Sequence, residues 1–358
     1  MKLNNKILNS GQSGFTLVEL MVGLTIGMLV SVIIMQVLSV FEAQKRTTTG
    51  TADAQTDGSI ALFNISRELQ LAGYPLMPVT NSSLECTTTS YGATGIAGIF
   101  PISLTDGVAA TGVSASDTVT IRYGSTASGG TPTIITALVG SAATVANNFG
   151  CNTGEVSLIT NGTACALSTV TAVSAASTVP ATITLQNAAS AAPGANLACL
   201  GTWHEITYRV NNSNLERQDA PPAYNPFTAN VANIVNIQAQ YGLSAAANSN
   251  QVVQWIDATG TWATPPLPPA VPNRNFIKAI RLAVVARNAK METTAVTTAC
   301  SSTTVANPTG LCAWTGSASS PAPTINLSAN DPNWLRYRYR VFETIIPLRN
   351  MIWAKDTL

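Results

Sequence analysis

The chain has 358 residues, more than one small domain requires and enough to bury a sizeable hydrophobic core. Only 10% of the residues are charged and the formal net charge is +1, so nothing in the overall charge suggests nucleic acid as a partner. Thr, Ala, Ser and Asn are plentiful, which is more typical of an exported β-rich protein than of a cytosolic enzyme.

The N-terminal part of the chain is dominated by an apolar run from Phe15 to Phe41. These 27 residues carry a single charge, Glu19, and a membrane-spanning helix needs only roughly 20 apolar residues. A secretory signal has a shorter apolar region, about 7–15 residues, followed by a small-residue cleavage site. Here the small residue, Gly14, precedes the run. A peptidase that cuts at the membrane face would therefore leave the apolar helix on the product.

Glu19 is an unusual residue for this environment, because a charged side chain at the bilayer centre costs about 2.5–3.5 kcal/mol on insertion scales. It lies near the end of the run, where the cost is smaller. Two interpretations remain open at this point: an acid that reaches the membrane interface, or a fixed acid that pairs with a cation on another subunit.

The segment Gly14–Leu20, which reads GFTLVEL, resembles the class III signal of type IV pilins and pseudopilins. This resemblance implies that residues 1–14 are a leader and that prepilin peptidase cleaves after Gly14. It further implies N-methylation of the new N-terminal residue, Phe15, and pairing of Glu19 with a neighbouring subunit's N-terminal amine during assembly. The leader departs from the family in having no basic residue beside Gly14, although its lysines further upstream still mark the cytoplasmic side.

Residues 15–41 are thus the predicted membrane and assembly helix, and residues 42–73 are expected to continue it into the periplasm. Gly50 and Gly58 are weak points in this continuation, and Gly73 marks its predicted end. An unbroken helix from residue 15 to residue 72 would be roughly 87 Å long at 1.5 Å per residue. An apolar stripe suited to packing under a head domain consists of Leu62, Ile65, Leu69 and Ala72.

Six cysteines follow the helix: Cys86, Cys151, Cys165, Cys199, Cys300 and Cys312. An even number in an exported domain indicates structural disulfides, although sequence alone does not choose among the possible connectivities. Closeness along the chain favours Cys300 with Cys312 and Cys151 with Cys165, which leaves Cys86 with Cys199. The spacing includes no CxxC pair and the chain has one histidine, so neither a metal site nor a cofactor is expected.

Residues 74–201 are rich in Thr, Ser, Ala and Gly, and are interpreted as irregular β structure pinned by disulfides, with disorder as the alternative. Residues 202–358 are predicted to form a C-terminal antiparallel β core. The predicted elements are strands at Asp117–Tyr123 and Ala181–Leu185, a hairpin from Trp203 to Gln218, a short helix leading into a strand over Val231–Gly242, a stiff loop at Pro265–Pro269, and strands at Phe276–Arg287 and Leu335–Leu348.

The predicted fold is therefore α+β and type IV pilin-like, with a long N-terminal membrane-spanning helix and a disulfide-pinned, mainly antiparallel β head domain. No group of residues supports an enzyme. His204, the only histidine, lies in a predicted strand and is best explained as an ordinary strand residue. Arg336, Arg338 and Arg340 alternate along the last strand, and form either a solvated sheet face or a face that docks an acidic partner.

The helix end at Ile65–Leu69 and Ala72–Tyr74, together with Pro347–Asn350, resembles the PilW-type minor pilins. That resemblance implies a minor pilin that primes type IV pilus assembly in a tip complex, and so supports twitching motility and attachment. The alternatives are a J-type pseudopilin of a type II secretion system and a tip adhesin or binding module.

The same resemblance implies a set of partners and a location. The partners are other minor pilins and the major pilin, prepilin peptidase, the inner-membrane assembly platform, inner-membrane lipid before assembly, and a tip adhesin. No nucleic acid partner is expected. The location is the inner membrane of a Gram-negative bacterium, with one membrane span and the head in the periplasm, and after assembly the extracellular pilus near its tip.

Overall fold

The computed structural model describes residues 14–76, 88–91, 99–107, 116–161, 164–175, 177–188, 190–220, 225–263 and 271–352. The chain divides into two compact units, residues 1–50 and residues 51–358. Helix α1 (Leu17–Leu71) contributes residues to both units. The predicted leader up to residue 13, the proline loop at 265–269 and Cys86 lie outside the described residues.

Helix α1 has 55 residues, and the prediction of one long helix from residue 15 to residue 72 is confirmed within two residues at each end. Neither Gly50 nor Gly58 interrupts it. It ends as the sequence indicates: Gly73 follows with a φ of +80°, a left-handed conformation that favours glycine. The N–H of Gly73 then donates to the carbonyl of Arg122, so the helix end is hydrogen-bonded to the β structure.

From residue 51 onward, one face of α1 is buried. The buried stripe differs from the predicted one, because Leu62 is only partly buried. At Gly58 the ring of Phe342 occupies the position that a Cβ would take. The predicted weak point of the helix is therefore a site of close packing. The buried residues of α1 are Ala54, Gly58, Ala61, Ile65 and Leu69.

Besides two 3₁₀ helices, sixteen strands and two short α-helices follow α1 in the described part of the chain. They are β1 (Thr88–Tyr91), β2 (Ile102–Thr105), β3 (Thr118–Gly124), β4 (Thr133–Val139), β5 (Ala142–Val145), β6 (Val156–Asn161), β7 (Ala164–Val173), β8 (Ala181–Leu185), β9 (Asn196–Gly201), β10 (Trp203–Asn211), β11 (Asn214–Ala220), β12 (Thr228–Ala232), β13 (Ile234–Ser244), β14 (Val252–Ile256), α2 (Val271–Arg274), β15 (Ile277–Arg287), β16 (Tyr339–Pro347) and α3 (Arg349–Ile352). Nearly all the strand pairs are antiparallel, and β1 with β7 is parallel. The predicted α+β fold class is confirmed.

The Thr- and Ala-rich middle region forms a seven-stranded sheet in the order β1-β7-β6-β9-β4-β5-β8. Strands β4 to β9 close on themselves, because β7 pairs with β8 as well as with β6. Small and β-branched side chains such as Ala143, Ile159 and Ile183 fill a separate core inside this closed arrangement. The region is therefore regular β structure in its described residues, whereas irregular structure or disorder was expected.

Two further sheets complete the head. The five-stranded sheet β12-β11-β10-β3-β2 joins strands of the middle region to the predicted C-terminal core, and the four-stranded sheet has the order β14-β13-β15-β16. The main hydrophobic core lies between the buried face of α1 and these two sheets, with Ile65, Ile206 and Leu282 among its fully buried members. A second core covers the opposite face of the four-stranded sheet and includes Trp314 and Ile325.

The segment Val231–Gly242 contains the predicted strand, but the short helix that was predicted to precede it is absent from these residues, all of which the structure describes. The segment covers the end of β12 and most of β13, which is buried along its whole length. Polar Asn236, Gln238 and Gln240 alternate with apolar residues in β13, and the amide of Gln238 donates to Asn236. Because these amides find partners inside the protein, the strand can be buried on both faces. The alternation itself is the usual sequence signal of a strand, and the sequence analysis did not use it.

Two disulfides join described cysteines. Cys300 bonds to Cys312, as closeness along the chain favoured. Cys151 bonds to Cys199, so the favoured pairings of Cys151 with Cys165 and of Cys86 with Cys199 are both wrong. Cys165 is also disulfide-bonded.

The β6–β7 hairpin explains why short sequence separation was misleading. Cys165 stands opposite Thr160, close to the hairpin turn. Cys151 enters at the other end of the hairpin, where Gly154 donates to Val170. Five strand residues separate Cys165 from Val170, which corresponds to roughly 17 Å at about 3.3 Å per residue. On the neighbouring strand β9, Cys199 lies near the end at which Cys151 enters, because its partner in β6 is residue 157.

One buried cation in the head predicts a pH-dependent stability. Lys278 of β15 is 1% exposed, and its Nζ donates to the carbonyl of Ala247 at 2.8 Å. Burial lowers the pKa of Lys278 from 10.5 to about 8. Below pH 8 both folded and unfolded states hold the proton, and the folded state carries the full cost of a buried charge. Above it the folded state releases the proton first, so stability rises with pH.

We expect the free energy of unfolding to rise by up to about 1.4 kcal/mol per pH unit between pH 8 and about 9.5. Urea unfolding across this pH range measures how the free energy of unfolding changes with pH. Lys278→Met is the comparison, since this variant removes the charge at similar volume. The wild type should show the slope and the variant should not. Parallel pH profiles for the two proteins would contradict the assignment to Lys278.

Candidate functional site

The scissile position predicted from the sequence lies in extended, exposed backbone. Residues 14–16 precede α1 without regular structure, and Gly14 is exposed. Phe15 is 84% exposed, and a Cβ placed on Gly14 would meet nothing within 4 Å. Within the described part of the unit comprising residues 1–50, nothing shields the Gly14–Phe15 bond. A peptidase could therefore bind this segment without unfolding the helix that follows.

Thr16 and Glu19 form a capping box at the start of α1. The backbone N–H of Glu19 donates to Thr16 Oγ1 at 3.3 Å, and the backbone N–H of Thr16 donates to Glu19 Oε2 at 2.9 Å. The hydroxyl of Thr16 also donates to Oε2, at 3.0 Å. Such reciprocal bonds satisfy backbone donors that a helix N-terminus leaves free. The sequence analysis missed this role of Thr16, although the spacing Thr16-x-x-Glu19 is its usual signal.

Glu19 therefore has one carboxylate oxygen in use and one available. Oε2 accepts the bonds from Thr16, whereas Oε1 has no hydrogen-bond partner among the residues described. A carboxylate oxygen next to a helix N-terminus can accept a further charge-assisted hydrogen bond. The geometry thus allows Glu19 to cap its own helix and to bind a cation from outside at the same time.

The apolar part of α1 presents hydrocarbon on all sides. By length and composition the helix could cross a membrane, and its apolar window is wholly exposed within the structure. Its hydroxyl groups donate to carbonyls of the same helix: Thr25 to Val22 at 2.9 Å, and Ser31 to Gly27 at 2.8 Å. These donors need no partner from the surroundings, which is what an apolar solvent requires.

A second group of interest surrounds Glu68, which is the acid of α1 nearest the helix end. The hydroxyl of Tyr123 donates to Glu68 at 2.6 Å, and Arg217 forms an ion pair with it at 3.5 Å. Burial, together with the charge of Glu68, raises the pKa of the nearby Tyr208 to about 12. His204 lies beside this group, stacked on Tyr123 with 4.9 Å between the ring centroids. The group fastens the end of α1 to the five-stranded sheet.

His204 occupies a strand position, β10, as predicted. Its Nδ1 lies 3.1 Å from Asp219 Oδ2, and Asp219 also contacts Arg217. All of these side chains already have partners in the sheet. The arrangement provides structural contacts between β10, β11 and α1.

The three arginines near the last strand do not form a regular ladder. Arg336 lies in a short 3₁₀ helix before β16, and its Nε donates to the carbonyl of Glu292. Arg338 forms an ion pair with the carboxylate of Glu292 at 3.0 Å. Arg340 is exposed. Two of the three therefore fasten the 288–300 segment to the sheet, which favours a structural role over docking.

Comparison with known proteins gives matches to two family models and a similar solved structure. Residues 208–350 match the family model described as Type IV Pilus-assembly protein W. Residues 9–35 match the prokaryotic N-terminal methylation motif. A solved structure of a type IV-like pilin from Thermus thermophilus is similar at 12% sequence identity and a TM-score of 0.31, covering 83% of this chain and 96% of that one. No curated protein matches the chain.

A methylation motif that opens a long apolar helix, followed by a mainly antiparallel β head, defines a protein of the type IV pilin class. Within that class the chain is PilW-like, because the matched residues 208–350 run from β10 to α3. The predicted resemblance is therefore confirmed. This is a family of structural pilus-assembly proteins, and it is not known as a family of enzymes.

Proposed function

We propose that the chain is a minor pilin that primes assembly of a type IV pilus and remains near the pilus tip. The observation that carries this proposal is the N-terminal segment, in which an exposed Gly14–Phe15 bond precedes a capped helix whose first part, up to Phe41, is apolar apart from Glu19. The PilW match over residues 208–350 supports the same function from the other end of the chain.

The first step of the proposed function is processing. Prepilin peptidase cleaves after Gly14, and the new N-terminal residue, Phe15, is methylated. The open space around Gly14 supports this step, since an enzyme can approach the bond from outside. The product keeps the apolar helix, which holds it in the inner membrane with the head in the periplasm of a Gram-negative cell.

The second step is transfer from lipid to filament. Leaving the bilayer would expose a long apolar surface to water, at roughly 25 cal/mol per Å². Packing among the helices of neighbouring subunits offsets this cost. Glu19 then binds the N-terminal amine of an adjacent subunit through its free Oε1 and fixes the axial register. A misregistered subunit would leave the carboxylate unpaired in an apolar environment, which is costly.

In this proposal the head domain determines which other pilus proteins the chain binds. We assign residues 1–14 to the leader, 15–41 to the membrane helix, 42–73 to its periplasmic continuation, and 74–201 and 202–358 to the two parts of the head. Proposed partners are the other minor pilins, the major pilin, the inner-membrane assembly platform and a tip adhesin. Through the priming complex the protein supports twitching motility and attachment.

A deletion strain tests the proposed function. We expect few or no surface pili and no twitching after deletion of the gene, and recovery of both with the wild-type gene. A Gly14→Val gene should fail to restore them, because the β-branched side chain blocks peptidase recognition, whereas a Cβ at this position meets no described residue within 4 Å. Normal pili together with lost protein secretion would contradict the proposal and favour the pseudopilin alternative.

A further inference from the structure

A cleft of about 400 Å³ lies at the end of β14, within the unit comprising residues 51–358. Its volume falls within the range of small-molecule sites, roughly 300–1,000 Å³. The side chains that matter for its chemistry are Gln240, Trp255, Asp257 and Trp262. None of them belongs to the N-terminal segment or to the group around Glu68.

Two tryptophans supply aromatic surface to this cleft. Trp255 stands opposite Gly242 in the β13–β14 pair, and a Cβ on Gly242 would lie 2.7 Å from Cζ3 of the ring. The indole therefore occupies the space that a side chain at Gly242 would fill. Trp262 packs against Tyr241, with the two ring centroids 6.5 Å apart. Both indoles are partly buried, so each keeps some surface available to a ligand.

Asp257 is the one acidic residue in the described lining of the cleft, and it interacts electrostatically with two further acids, Asp106 and Asp117. Burial raises the pKa of Asp257, and so does the charge of Asp106. The buried Asp117 has a pKa well above its ordinary value because of burial, and both Asp106 and Asp257 raise it further. Among the ion pairs of the described residues, none includes any of these three carboxylates. The lining of the cleft includes no Lys or Arg in the part of the chain described.

Gln240 provides an independent sign of an unfilled polar site. It is 1% exposed, and its Nε2 donates to Asp257 Oδ1 at 2.9 Å and to the carbonyl of Pro321 at 2.8 Å. Its Oε1 has no hydrogen-bond partner in the described structure. Buried polar atoms are normally hydrogen-bonded, and an exception calls for an explanation. Here the unsatisfied acceptor belongs to the side chain that holds the carboxylate of the cleft.

We propose that this cleft binds a protonated primary amine, with the ammonium group on Asp257 and the indoles of Trp255 and Trp262 against it. Aromatic faces attract cations, and a desolvated carboxylate supplies the opposite charge. A primary amine fits better than a quaternary one, because carboxylate oxygens accept hydrogen bonds that only N–H groups can donate. A lysine side chain and an amino sugar share this chemistry. The site adds a ligand-binding activity to the proposed role in pilus assembly.

Isothermal titration calorimetry on the full chain in nonionic detergent tests the proposal. The probes are N-acetyl-lysine amide and glucosamine, each with a neutral analogue, N-acetyl-norleucine amide and N-acetylglucosamine. We expect at least one amine to bind and its neutral analogue not to bind. The amine that binds shows whether the natural ligand is a lysine side chain or an amino sugar. Asp257→Asn should weaken binding at least about tenfold, because the charge pair is lost. Trp255→Ala should weaken it about fivefold.

Asp53→Asn is the matched control, since Asp53 is an exposed acid of α1 outside the cleft. This variant should bind the amine as tightly as the wild type does. If Asp257→Asn does not fold, NMR spectra of the wild-type protein provide the alternative measurement. The indole N–H signals of Trp255 and Trp262 should then shift when the amine is added. The proposal is overturned if neither amine binds, if the neutral analogues bind equally well, or if these signals stay unchanged. Calcium binding that displaces the amine would also overturn it.

Discussion

Replacing Glu205 by alanine is expected to lower the free energy of unfolding by about 3–5 kcal/mol, the usual cost of leaving a buried charge without its partner. Glu205 of β10 stands directly opposite Arg122 of β3, with 3.1 Å between Oε1 and Nη2. The side chain of Arg122 is only 6% exposed, and its Nη1 donates to Phe100 O and Ser103 Oγ. Without Glu205 the guanidinium keeps these bonds but loses its only ionic partner among the described residues.

The position of this pair in the fold increases the expected effect. Arg122 lies between β2 and β10, and its carbonyl accepts the N–H of Gly73 at the end of α1. A shift of Arg122 would therefore disturb the sheet and its connection to the helix together. Urea unfolding followed by tryptophan fluorescence measures the loss of stability.

The same sheet offers a matched control. Arg209 and Glu216 stand opposite each other on β10 and β11, 2.8 Å apart, but the side chain of Arg209 is 42% exposed. Glu216→Ala should therefore cost no more than about 1 kcal/mol. The double variant Arg122→Met with Glu205→Leu should recover most of the loss, because well-packed apolar residues can replace a buried ion pair. Equal losses for Glu205→Ala and Glu216→Ala would contradict this account.

Replacing Glu19 by alanine is expected to leave cleavage after Gly14 intact but to reduce the amount of protein in sheared filaments at least about tenfold. In the proposed function, processing requires the exposed segment before the helix, whereas incorporation requires an acid that binds a neighbouring N-terminal amine. A factor of ten corresponds to about 1.4 kcal/mol, well below the cost of an unpaired charge in lipid. Quantitative immunoblotting of filament and membrane fractions measures the ratio.

Alanine also removes the capping box, so a second variant must separate the two roles of Glu19. Glu19→Gln keeps a side-chain oxygen for the N–H of Thr16 but has no charge for the amine. It should be processed normally and incorporated as poorly as the alanine variant. Glu42→Ala is the control, because Glu42 is an exposed acid of the same helix whose pair with Arg46, 3.7 Å apart, is fully solvated. Normal incorporation of Glu19→Gln would show that the acid acts only as a cap.

The sequence predicted most reliably those features that are local. Helix α1 follows from its apolar run and ends at Gly73, where a left-handed backbone favours glycine. Strand β8 has the predicted bounds, and the turn between β10 and β11 uses Asn212 and Ser213 with positive φ. Cys300 and Cys312 were paired correctly because they close a short loop.

The features that escaped prediction depend on contacts between distant segments. Cys151 bonds to Cys199 because β9 pairs with β6, and no property of either cysteine reveals that pairing in advance. The short helix predicted before β13 does not form, although the alternation of polar amides with apolar residues in this strand indicated β structure in the sequence. The capping role of Thr16 is a different case. Its spacing to Glu19 could have been recognised in the sequence, but only the environment of the acid in the membrane and its pairing with another subunit were considered.

The central claim is that this chain is processed and built into pili, and mass spectrometry of sheared surface filaments tests it most directly. The claim predicts a peptide that begins at N-methylated Phe15, present in filaments at low abundance relative to the major pilin. Processed protein confined to the membrane fraction, with none in filaments, would contradict the claim.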